Sequence, residues 1–171
     1  RASHEVFGGR VVQERDFSGS GHTRDVFGHG TAVACMAAGG AYPAGQEQGT
    51  APEANILSLK VLNDEGEGTE EGVVLGLEHC LELAEAGSEP TPHIINISLG
   101  APDDGDPDSA MRVACRRAIE AGMGVVAAAG NSGPDPQTIL IPATDPLVVA
   151  VGAVYGHEFA VCDFSSRGPT L

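Results

Sequence analysis

A chain of 171 residues, 42% of them apolar, carries enough material for the core of one domain, which excludes a disordered tail. Nine basic against 24 acidic residues leave a net charge of −15, which repels phosphate backbones and anionic lipid surfaces and argues against nucleic acid as a partner. Aromatic residues make up only 4%, Trp is absent, and 24 Gly with 11 Pro mark many turns, so Ala, Val, Leu and Ile must fill the core.

Taken in chain order, the first element is a helix start. Gly28-His29-Gly30-Thr31 is followed by the helix-prone run from Ala32 to Ala38. Asn55 to Leu62 is apolar and partly β-branched, and the turn-forming Asn63-Asp64-Glu65-Gly66 closes it, which predicts a buried strand. From Glu70 to Ala86 the apolar residues Val73, Val74, Leu77, Cys80, Leu81 and Ala84 fall at helical spacing, with acids in the first turn and Gly87 after the end. His93 to Ser98 is a second strand, closed by a Pro/Asp/Gly loop from Ala101 to Pro107. Met111, Ala114, Cys115, Ala118 and Ile119 then repeat at helical spacing up to Gly122. Val125 to Ala129 is a third strand, and Leu147 to Val151 a fourth.

Strands and helices alternating at this spacing predict parallel β-α-β units in a three-layer α/β sandwich with a mainly parallel sheet. Ligands of such sheets bind at the carboxyl ends of the strands, which points to Asn63 to Gly68, Leu99-Gly100 and Gly130 to Gly133. No stretch reaches the roughly 18 apolar residues of a membrane span. The four cysteines (Cys35, Cys80, Cys115, Cys162) show no C-x-x-C spacing, which argues against a zinc knuckle or a dithiol redox site. Cys80 and Cys115 lie on the apolar helical stripes, and Cys35 follows His29 on its helix, so packed free thiols are expected.

Four short segments could carry chemistry. His29, between two glycines at a helix start, is held by the backbone yet open to a neighbour, as a general base must be; a structural histidine fits the same pattern. Ala128-Ala129-Gly130-Asn131-Ser132-Gly133 ends a small-residue strand in an amide that could donate to an oxyanion above the strand ends, or simply make a Gly-Asn turn. Asn96-Ile97-Ser98-Leu99-Gly100 and Phe164-Ser165-Ser166-Arg167-Gly168-Pro169 are weak signals alone. A metal site from His22, Asp25 and His29 would need one helix, which Gly28 and Gly30 interrupt. A dinucleotide fingerprint at Gly19-Ser20-Gly21 lacks the third glycine.

In combination and order, these segments resemble the subtilisin-like serine proteases. The resemblance runs through Asp25-x-x-Gly28-His29-Gly30-Thr31, Gly49-Thr50-Ala51-Pro52, Leu59-Lys60-Val61-Leu62 and Asn96-x-Ser98-Leu99-Gly100. It continues through Ala128-Ala129-Gly130-Asn131, Ile141-Pro142-Ala143, Val149-Ala150-Val151-Gly152-Ala153 and Phe164-Ser165-Ser166-x-Gly168-Pro169. The resemblance implies that His29 is the general base and Asn131 the oxyanion-hole side chain of a serine endopeptidase acting on polypeptides. It implies that Ser98, Leu99 and Gly100 pair with the substrate backbone and form one wall of the pocket before the scissile bond. Ala128, Ala129 and Gly130 would form the opposite wall, and the loop with Gly66 and Gly68 the other edge of an extended substrate. No cofactor is implied for the chemistry; structural calcium and a propeptide are implied for the family, without assignable ligands.

The order of the triad in subtilisins is Asp, His, Ser. No Asp-Thr-Gly or Asp-Ser-Gly precedes His29, neither Asp16 nor Asp25 matches the triad acid, and no Gly-Thr-Ser follows Phe164-Ser165-Ser166. Residues 1–171 are therefore expected to be a partial peptidase domain, lacking the N-terminal segment with the triad Asp and the C-terminal segment with the nucleophilic Ser, and inactive alone. The competing expectation is a non-catalytic homologue whose groove binds peptides without cutting them.

Overall fold

The computed structural model describes residues 2–41, 48–87, 89–156 and 160–170. His157 and most of the loop between Gly39 and Gly49 lie outside them. The chain divides into two compact units, Arg1–Gly76 with Ser88–Pro90, and Leu77–Gly87 with Thr91–Leu171. It is an α/β protein in which one helix lies between the strands of each of two parallel pairs, Val11–Asp16 with Ile56–Lys60 and Ile94–Ile97 with Gly124–Ala128.

In the first unit, β1 (Val11–Asp16) and β2 (Ile56–Lys60) pair in parallel, with Glu14 opposite Ser58 and Asp16 opposite Lys60, and α1 (His29–Ala38) lies between them in the chain. Sequence reading missed β1. Its apolar content ends at Val12, and the pattern that remains is an alternation in which Val11 and Gln13 turn inward while Val12 and Glu14 face out. Arg10 ties the unit together. Its guanidinium donates to the Ala38 carbonyl at 2.7 Å, the Ala54 carbonyl at 2.9 Å and the Val6 carbonyl at 3.1 Å. Beside it, Phe7 is buried.

The boundary between the units falls within α2 (Glu70–Ala86), whose limits match the periodicity. Val73, Leu77, Cys80 and Leu81 are buried, while Val74 and Ala84 are half-buried. Glu70 and Glu71 sit where the helix dipole favours negative charge.

In the second unit, β3 (Ile94–Ile97), β4 (Gly124–Ala128) and β5 (Val149–Val151) form a parallel three-stranded ladder with β4 in the centre. α3 (Ala110–Glu120) makes the crossover from β3 to β4 and buries Met111, Ala114, Cys115 and Ala118, as its spacing predicts, and also Arg112. A buried cation needs partners. Arg112 donates to Asp103 at 2.5 Å and to the Thr144 hydroxyl at 2.7 Å, while Arg116 donates through Nε to the buried Asp145 at 2.7 Å. Arg117 on the same helix pairs with Glu78. The fourth strand starts two residues later than the apolar run suggests. Asp145 captures the preceding amides: the Leu147 N–H donates to its carboxylate and the Val148 N–H to its carbonyl, which makes that stretch a turn. A short antiparallel pair, β6 (Val154–Tyr155) and β7 (Ala160–Val161), was not anticipated. Two residues a side carry too little periodicity to read.

All four cysteines are free; Cys80, Cys115 and Cys162 are buried and Cys35 is half-buried. Burial pushes the Cys80 thiol up to about 11, and burial together with the Asp145 charge pushes Cys115 up to about 12. Their neutrality therefore contributes stability in full below the ordinary thiol value of about 8.5, and that contribution fades as pH rises above it. With a maleimide at pH 8, Cys35 is expected to label first and Cys80 and Cys115 only on unfolding, as mapped by mass spectrometry. Prompt labelling of Cys115 in the folded chain would contradict this packing.

Candidate active site

His29 is presented by the first unit. A helix leaves its first amides without intrahelical partners, and here Asp25 supplies the acceptors. Its carboxylate receives the Gly28 N–H on one oxygen at 2.7 Å, and on the other the Thr31 N–H at 2.7 Å and the Thr31 hydroxyl at 2.6 Å. Gly28 takes φ +94°, a left-handed turn that swings the chain into α1 one residue before the histidine. His29 is thereby the first residue of the helix, and its side chain is exposed.

Desolvation raises the Asp25 carboxyl, but the Thr31 hydroxyl and the two N–H donors outweigh it and hold the group below its ordinary value. The unfolded chain then takes up the proton first. This contribution to stability is present above about pH 3.9 and is lost as pH falls through the lower folded value. Asp25→Ala is expected to reduce stability by about 1–2 kcal/mol, within the range for lost helix caps. Urea unfolding of the variant would measure it, and an unchanged midpoint would remove Asp25 from this role.

The Asn63 to Gly68 loop is a tight reversal, as its turn-forming residues predict. The Asn63 N–H donates to the Glu67 carbonyl at 2.7 Å, the Asn63 side-chain oxygen accepts from the Glu65 and Glu67 amides, and Gly68 bridges to Leu62 antiparallel. Gly66 takes φ +81° beneath the exposed ring of Phe27, so closely that a Cβ there would lie 2.9 Å from the ring. Lys60 and His22 both contact the Asp64 carboxylate, at 2.8 and 3.2 Å. His22, Asp25 and His29 do not form a metal site: His22 is paired with Asp64, and Asp25 is occupied by backbone amides. Among the described residues no group of three or more His, Cys, Asp or Glu side chains is placed to hold a metal ion.

The second unit presents Ser98, Leu99, Gly100, Ala128, Ala129, Gly130 and Asn131 at the carboxyl ends of β3 and β4. The Ser98 hydroxyl accepts from the Asn96 amide at 2.9 Å. Leu140 links the two segments: a Cβ on Gly100 would lie 2.8 Å from the Leu140 Cβ, and one on Gly130 would lie 2.7 Å from its Cγ. Ala101 and Ile141 exchange backbone hydrogen bonds, and the Leu140 N–H donates to the Ala129 carbonyl. Asn131 follows Gly130, which takes φ +111°, and is exposed. Asp16, in the first unit, has its carboxylate occupied by the Ser18 N–H and hydroxyl and the Gly21 N–H. Sequence reading weighed Asp25 only as a metal ligand and as part of the His29 motif, and did not see Phe27 or Leu140, because the groups these residues meet are brought to them only by folding.

These observations define an α/β protein whose histidine opens a helix after a left-handed glycine and whose asparagine follows a parallel strand. The model of the subtilase family matches residues 5–171, and the chain belongs to that family. It is 40% identical over 154 residues to the serine protease AprX of Bacillus subtilis (strain 168), covering 84% of this chain and 35% of that protein. It is 33% identical over 169 residues to subtilisin-like protease 1 of Trichophyton tonsurans, covering 99% of this chain and 31% of that protein. Among solved structures it resembles sphericase, with a TM-score of 0.84 and 32% identity over 96% of this chain and 55% of that one. An S41 psychrophilic protease gives a TM-score of 0.79 at 30% identity. The chain spans about a third of the length of the curated relatives it matches.

Proposed function

We propose that this chain is the histidine- and asparagine-bearing part of a serine endopeptidase. The observation that carries the reading is the subtilase match from residue 5 to residue 171, a range that contains both residues. In this reading the triad Asp and Ser come from sequence outside these 171 residues, so the activity belongs to the parent protein. His29 takes the proton of the serine hydroxyl as it attacks the scissile carbonyl and returns it to the leaving amine. The Asn131 amide donates to the oxygen that becomes negative in the tetrahedral intermediate. Ser98 to Gly100 accept the substrate backbone, Ala128 to Gly130 form the facing wall, and Gly66 and Gly68 also meet the peptide.

The experiment is hydrolysis of a peptide amide by the parent protein and by its His29→Ala variant. Cleavage that the variant loses supports the reading. Tight peptide binding with no cleavage by the wild type would replace it with a peptide-binding homologue.

Both pocket walls are uncharged, and Leu140 lies against Gly100 and Gly130 between them, which makes the pocket apolar and suits an apolar side chain before the scissile bond. A peptide-library profile is expected to be dominated by such residues; one dominated by Arg or Lys would overturn this assignment.

A further inference from the structure

The Phe164 to Pro169 motif has no part in the chemistry above, yet it holds the segment that carries Asn131. The Ser166 N–H donates to the Gly130 carbonyl at 3.0 Å, and the Ser132 N–H donates to the Ser166 hydroxyl at 3.1 Å. The Gly130 carbonyl belongs to the peptide plane before Asn131, and the Ser132 N–H to the plane after it. Rotation of those two planes about the Asn131 Cα is its φ and ψ, so one residue restrains both backbone dihedrals of the asparagine.

Burial, close approach and two more hydrogen bonds make this clamp stiff. Ser166 is only 7% exposed. Gly130 lies so close that a Cβ on it would meet the Ser166 hydroxyl at 2.8 Å. The Gly133 N–H donates to the Phe164 carbonyl at 2.9 Å, which fixes the loop one residue further on. Ser165, 1% exposed, turns its hydroxyl the other way and accepts the Ala153 N–H at 3.0 Å, which anchors the motif to the segment after β5. Asn131 itself is exposed, so its direction comes from its backbone and not from packing of its side chain.

We propose that Ser166 is a positioning residue for the oxyanion-hole amide of Asn131. The proposal rests on the reading of Asn131 given above. Of the two bonds, the one from the Ser166 N–H survives any substitution except proline, whereas the one accepted by the hydroxyl depends on serine. Ser166→Ala leaves the Ser132 N–H without its buried acceptor and releases the ψ side of Asn131. An oxyanion donor must lie within about 0.5 Å of its working place to be effective.

The test is a double-mutant cycle on the parent enzyme with a peptide-amide substrate. Ser166→Ala is expected to lower kcat about tenfold with KM little changed, less than the full loss on removing the donor. In the Asn131→Leu background the same change is expected to lower kcat no further. Ser166→Thr, which keeps the hydroxyl, is expected to remain near wild type. A loss of equal factor in both backgrounds, or none in either, would mean that Ser166 only supports the fold, and would overturn the proposal. So would a folded Ser166→Thr enzyme as impaired as Ser166→Ala. If Ser166→Ala does not fold by circular dichroism, Ser166→Cys fills the same space with a poor acceptor and carries the same expectations. Should Asn131→Leu alone leave kcat unchanged, the oxyanion reading fails and the positioning role falls with it. Should Asn131→Leu lower kcat while the Ser166 effect multiplies independently, only the positioning role falls.

Discussion

Replacing His29 by alanine in the parent enzyme is expected to lower kcat by about 10⁶, the scale measured when the triad histidine of a subtilisin is removed. The size follows from chemistry. A serine hydroxyl is a weak nucleophile at neutral pH, and without a base in hydrogen-bond reach its proton has nowhere to go as the new C–O bond forms. His29 is also the group that must later protonate the leaving amine, so both halves of the reaction lose their proton carrier. The histidine is exposed and opens α1, whose start Asp25 caps through Gly28 and Thr31, so the substitution should leave the fold intact. KM is expected to change little, because the imidazole contributes mainly after the substrate is bound. A circular dichroism spectrum and melting curve like those of the wild type, together with the collapse in kcat, would establish this. Residual hydrolysis within tenfold of the wild type would show that another group acts as the base.

The second large effect is expected at Asn131. Its amide meets the substrate oxygen well only when that oxygen carries charge, so the hydrogen bond stabilises the transition state more than the ground state. Asn131→Leu keeps roughly the same volume and removes the donor. The expected outcome is a fall in kcat of about 10²–10³ with KM nearly unchanged, a size known from an oxyanion-hole asparagine in a subtilisin. Because the side chain is exposed, no core packing is lost and stability should hold. Steady-state kinetics separate the alternatives: a tenfold rise in KM with kcat intact would make Asn131 a ground-state binding residue.

The helices and central strands were legible because their burial is periodic. The spacing of Val73, Leu77, Cys80 and Leu81 located α2 to the residue, and the small-residue run at Val125 to Ala129 located β4 within one. β1 escaped because a strand of Val-Val-Gln-Glu-Arg-Asp has too few apolar residues for periodicity to stand out, and its place is set by pairing with β2. The start of β5 moved because a carboxylate at Asp145 competes for amides that an apolar run would give to a sheet. The turn read at Asn63 to Gly66 is present, and the Asn63 side chain closes it by collecting the Glu65 and Glu67 amides within its own loop.

What the sequence determined by itself was local: helical and strand periods, the glycines that permit left-handed turns, and the motifs that mark the family, all of which depend on residues a few positions apart. What only the tertiary structure decided was the support of those motifs. Asp25 reaches six residues to Thr31, Leu140 fills the space that Gly100 and Gly130 leave, and Ser166 grips both peptide planes beside Asn131 from 35 residues away. Such contacts are hydrogen bonds and close approaches between segments whose separation along the chain carries no period, so no pattern of residue types announces them before the chain has folded.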